Sequence, residues 1–203
     1  MFIGHSLGGI VVKRALVNAQ LNSTNYKDIS ESTKSIIFFG TPHQGTNVTE
    51  WPQMLESISK VAGIKRSKVL KELELWSDFL VELSQTFLEQ SNKLLITSFY
   101  ERQPYNGVYV VPEGSARGPF LNDTPIGLDA NHRTICRFAS EMGEFQTVHR
   151  QLHMRLCDIQ EMPGAIWNPP RVDDFDELME ALRPRSGRVE GNTSSERIKS
   201  PAK

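Results

Sequence analysis

Phe2-Ile3-Gly4-His5-Ser6-Leu7-Gly8-Gly9-Ile10-Val11 is the stretch that decides how this chain is read. A strand stub over Met1–Ile3 runs through Gly4-x-Ser6-x-Gly8 straight into an apolar helix. A sharp strand-to-helix turn with serine at its apex is a strained backbone that lifts the hydroxyl clear of a sheet edge. Glycines on either side avoid the collisions that side chains would make there. The turn also leaves the Leu7 amide at a helix N-terminus, where it meets a developing negative charge. Ser6 is therefore the candidate nucleophile and Leu7 the candidate oxyanion-binding group. A glycine-rich helix start with an N-capping serine is the competing reading, and the apolar strand before it argues against that.

Outward from the turn, the helix runs from Leu7 to about Leu21. Ile10, Val11, Ala15, Val17 and Leu21 make it mostly buried, with Lys13, Arg14 and Asn18 sharing a wet face. Ser35–Phe39 is a short apolar run ended by Gly40, which suits a strand buried on both faces of a parallel sheet. From about Glu50 to Gln90 the pattern is helical, with Leu70, Leu73, Trp76, Phe79, Leu80, Leu83 and Phe87 three and four apart. Trp51 and these helices read either as a cap with an apolar pocket or as plain core packing. Strands are expected at Leu94–Phe99 and at Val108–Val111, the second closed by Pro112. A helix is expected over Phe145–Ile159. Beyond it Pro163, Pro169 and Pro170 break the pattern, a short acidic helix falls near Asp173–Leu182, and the last residues are polar enough to be disordered. The alternation gives an α/β fold, a mostly parallel sheet with helices on both faces. Residues 1–160 form the folded unit and 161–203 a tail.

A serine hydroxyl needs a base to take its proton, and the base needs a carboxylate to orient it. For a nucleophile on such a turn the chain order is serine, acid, histidine. Of the five histidines, His5 lies inside the turn and points away from the place of a base. His43 comes too early, and His149 and His153 belong to the surface of the late helix. His132, in the polar loop Leu128–Arg133, is the one in position. Glu101 ends a strand and is the favoured acid, with Glu113 as runner-up; Asp129, three residues from His132, shapes that loop instead.

At 203 residues the chain is long enough for one domain and a tail, and its formal net charge of -1 gives no reason to expect nucleic acid as a partner. Two cysteines, Cys136 and Cys157, make no disulfide framework and fit a reducing, cytoplasmic setting. No metal-ligand spacing is present. No apolar run reaches transmembrane length, and Met1 standing beside the motif leaves no room for a signal peptide.

Five strings in order, GHSLGGIVVKRAL (4–16), IIFFGTPHQGT (36–46), ITSFYE (96–101), VVPEGSA (110–116) and DANHRTICRF (129–138), resemble the serine esterase family of α/β-hydrolases. Its relatives include the serine active site-containing proteins, the GPI inositol-deacylase lipases and hydrolase domains of fungal NACHT or repeat-bearing signalling proteins. The resemblance implies Ser6 as nucleophile, His132 as base and Glu101 as acid. It also implies acyl hydrolysis of a hydrophobic or lipid-like carboxylic ester without a cofactor. Family members carry a long segment before the turn, with the first strands and a second oxyanion amide. Here Met1 falls inside the strand, so the expectation is the C-terminal half of the hydrolase fold with an exposed sheet edge open to a protein partner. A degenerate hydrolase fragment serving as an interaction or signalling module is the alternative.

Overall fold

The structure, a computed structural model, describes residues 1–43, 50–63 and 77–162, all within the unit Met1–Ala165. Among the described residues the sheet has four parallel strands: β1 (Phe2–His5), β2 (Ser35–Phe39), β3 (Leu95–Glu101) and β4 (Asp123–Leu128), in the order β1-β2-β3-β4. The helices are α1 (Leu7–Leu21), α2 (Ser23–Ser32), α3 (Glu50–Ala62), α4 (Ser77–Ser91), the single turn α5 (Glu113–Ala116) and α6 (Glu144–Glu161). This is the α/β class expected.

Strand alternation explains the layers. Ile36 and Phe38 of β2 and Ile96 of β3 pack with Leu16 and Val17 of α1 and Leu83 and Phe87 of α4. On the other face Arg155 of α6 donates to the Thr97 hydroxyl at 2.9 Å, to the Ile96 carbonyl at 3.2 Å and to the Thr124 hydroxyl at 2.5 Å. Every residue of β2 is buried, as its unbroken apolar run requires, whereas β1 is an edge strand with Phe2 and Ile3 exposed.

Three expectations need correction. Val108–Val111 is not a strand: Tyr105 and Val108 form one antiparallel bridge across a tight turn, with Asn106 and Gly107 at positive φ. Valines 110 and 111 are apolar because they pack beneath α3, not because they join the sheet. The fourth strand is Asp123–Leu128, whose Pro125 and Gly127 hid it; among the described residues β4 pairs on one side only, the place where a missing N–H is tolerated. Lys13 does not share a wet face with Arg14: it is fully buried, and Val11 is exposed instead. Lys13 lies one turn after Gly9 and one before Leu16 and Val17, on the stripe α1 presents to the sheet. Helix α2 was unforeseen, since it buries no residue and so has no apolar period. Leu70, Leu73 and Trp76, and the breaks and helix expected beyond Met162, lie outside the described residues. Among the described residues no helix is long and apolar enough to cross a membrane.

Candidate active site

The carboxyl ends of β1, β2 and β3 and the loop after β4 converge, as strand ends do in parallel sheets. Ser6 follows β1 with φ 54° and ψ −129°, a backbone few L-residues adopt. Its N–H donates to the Phe39 carbonyl at 2.9 Å, which fixes the turn to the end of β2. A Cβ on Gly4 would stand 2.8 Å from Gly9 Cα, so strand and helix meet only because Gly4 has none. Gly8, the other glycine of the pattern, would meet nothing among the described residues, while a Cβ on Gly9 would overlap the Thr41 side chain. The crowding expected at both flanks of the serine thus falls on Gly4 and Gly9.

Ser6, Glu101 and His132 come together in the interior, at 8%, 2% and 2% exposure. Ser6 Oγ is 2.8 Å from His132 Nε2. The Glu101 carboxylate lies on the far side of the ring: Oε1 is 3.6 Å from His132 Nδ1, a charge-pair distance longer than a hydrogen bond. The same carboxylate accepts the His132 backbone N–H at 2.9 Å and the Val111 N–H at 2.6 Å. Glu101 thus grips the chain at His132 as well as facing its ring. Leu7 opens α1, so its N–H has no carbonyl a turn earlier to pair with.

Other candidates stand elsewhere. Glu113 begins α5 and pairs with Arg117 at 3.1 Å on the surface. Asp129 accepts from Gln103 at 2.5 Å, a loop-shaping bond. His149 stacks on Phe145, and His153 is exposed on the same helix. His5 is turned toward the His132 loop rather than away from it: its Nε2–H donates to the His132 carbonyl at 3.1 Å, with the rings 5.1 Å apart. Desolvation, and then the proximity of His132, pull the His5 pKa below its usual value.

Sequence reasoning missed the segment Gly40–His43. A Cβ on Gly40 would come within 3.1 Å of His132 Nδ1, so this glycine is a wall of the site. A glycine closing an apolar strand was the available signal, but it reads equally as a plain strand end.

No protein-family model matches the chain, and no solved structure does. Curated relatives do: the chain is 31% identical over 144 residues to Protein SERAC1 of Bos taurus, 30% over 144 residues to that of Homo sapiens, and 31% over 148 residues to that of Danio rerio. Each alignment covers 68% of this chain and 21% of the relative, so the chain spans about a fifth of the length of the curated relatives it matches. Likeness at this level supports a hydrolase-like family.

Proposed function

We propose that the chain is a serine hydrolase of carboxylic esters with a hydrophobic, lipid-like acyl part. The observation that carries this reading is the 2.8 Å contact of Ser6 Oγ with His132 Nε2 at the apex of a positive-φ turn. His132 takes the Ser6 proton as Oγ attacks the ester carbonyl, and the new oxyanion is met by the Leu7 N–H. His132 then gives its proton to the departing alkoxide, leaving an acyl-serine. Water activated by the same ring attacks that ester and regenerates Ser6. Glu101 holds the imidazole by its backbone and stabilises the imidazolium. Contacts of this kind tighten when substrate binds, so 3.6 Å to Nδ1 suits the role. Leu7 and Ile10 of α1 pack in one apolar cluster with Trp51, Met54 and Leu55 of α3 and with Val110 and Val111. An apolar wall beside the serine favours a hydrophobic acyl chain.

On this reading residues 1–160 are the hydrolase unit and the remainder a tail. The two free thiols suit a cytoplasmic setting. A fluorophosphonate probe is expected to label Ser6, and Ser6→Ala to abolish labelling in a chain with unchanged circular dichroism. Labelling that persists in Ser6→Ala, or none in the native chain, removes the reading.

The free edge of β1, with Phe2 37% and Ile3 55% exposed, favours a second reading, a non-enzymatic interaction module docking through that edge. Partner binding indifferent to Ser6→Ala, in a chain that no probe labels, is its signature.

A further inference from the structure

The buried polar group that this chemistry leaves unused is Lys13, two turns along α1 from Ser6. Its Nζ donates to the Pro42 carbonyl at 3.4 Å and stands 5.9 and 6.0 Å from the ring centres of Phe87 and Phe120. Among the described residues no ion pair holds it, and burial pushes its amine down to about 7. A group that must lose either its water or its proton weakens the fold relative to an apolar side chain of similar length. Stability does not explain it.

The Pro42 carbonyl belongs to the segment Gly40–His43, which runs between the nucleophile helix and the base. The Gly40 N–H donates to the Phe99 carbonyl at 2.8 Å and the His43 N–H to the Ser115 carbonyl at 2.7 Å. These ties fix the segment to β3 and α5. Gly40 lies against the His132 ring. On the nucleophile's side Thr41 rests on Gly9, and the polar tie from the body of α1 is Lys13. The segment is a spacer, pressed by α1 on one side and pressing on His132 on the other.

We propose that Lys13 is a positioning residue of the Ser6–His132 pair: its bond to the Pro42 carbonyl ties the Gly40–His43 spacer to α1 and so sets the separation of Ser6 Oγ from His132 Nε2. The chemistry of this proposal rests on the serine-hydrolase reading, whereas its geometry rests on the packing alone.

The test uses the full chain with ring-¹⁵N-labelled histidine, as wild type, Lys13→Met and Lys13→Gln. Three quantities are read: the His132 ring resonances, the thermal midpoint and the rate of fluorophosphonate labelling. Lys13→Met is expected to melt at or above the wild-type temperature at pH 7, to shift the His132 Nε2 resonance, and to slow labelling by about tenfold or more, since displacements near 1 Å cost up to about 10²-fold. Lys13→Gln, which keeps an N–H donor without the charge, is expected to fall between the two. An unmoved His132 resonance in folded Lys13→Met overturns the proposal. So does a lowered midpoint, which would mark the lysine as a structural prop. A shifted resonance in a protein whose wild type is never labelled supports the positioning and removes the hydrolase reading instead.

Discussion

At Lys13 the pH dependence of stability separates a buried amine from a solvated one. Burial lowers its pKa from 10.5 to about 7. Below pH 7 the amine is charged in both the folded and unfolded chain, and the folded state bears the full desolvation penalty. Between 7 and 10.5 the unfolded chain holds a proton that the folded chain has released, so stability rises with pH across that window. Above 10.5 both are neutral and the penalty is gone. His43, the titratable neighbour, is itself held well below its usual value by burial and then by Lys13, so it stays neutral there. Lys13→Met is therefore expected to be more stable than wild type near pH 6.5 by up to roughly 5 kcal/mol, the two converging near pH 10.5 in urea unfolding. A difference independent of pH would show the amine to be solvated. The same residue shows where sequence reading fails. A lysine beside Arg14 and before Asn18 reads as a wet face because charge ordinarily seeks water. Its burial depends on Pro42 and Phe120, far along the chain. The strand-to-helix turn at Ser6 was legible because it is local, and the nearness of His132 to it because chain order points to that loop.

Among the connections between elements, the loop joining β3 to α5 is held at its far end, Val111, by one carboxylate. Glu101 Oε1 accepts the Val111 N–H and Oε2 the His132 N–H, so both oxygens are needed as acceptors. Glu101→Gln turns one of them into an amide nitrogen, and a donor then faces a donor at one end whichever way the amide lies. Loss of one such buried bond is expected to lower stability by about 1–3 kcal/mol. Loss of the charge beside the imidazolium is expected to slow labelling of Ser6 by about 10²–10⁴. Stability lost at an unchanged labelling rate would leave Glu101 a loop clamp and nothing more. This carboxylate also accounts for the misplaced strand. Val108–Val111 has strand-forming residues, but its Val111 N–H goes to Glu101 rather than to a ladder. Asp123–Leu128 pairs fully with β3 while containing Pro125 and Gly127, residues whose local preference opposes a strand and which an edge position permits.

For the molecule as a whole, among the described residues one side of the sheet ends in β1, which pairs with β2 and leaves Phe2 and Ile3 exposed. Val11 on the helix behind it is 68% exposed. Unpaired N–H and C=O groups flanked by apolar side chains are a template for another strand. A formal net charge of -1 offers little repulsion to hold copies apart. Both effects favour self-association, and they separate by mutation. Ile3→Glu adds a charge to the edge and raises the magnitude of the net charge, whereas Ile3→Lys adds a charge to the edge and brings the net charge to zero. If the edge drives association, both variants are expected to lower the mass measured by light scattering at concentrations on the order of 100 μM. If weak net repulsion drives it, only Ile3→Glu does so. A wild-type mass that stays monomeric across the range would sink the edge as a self-association surface.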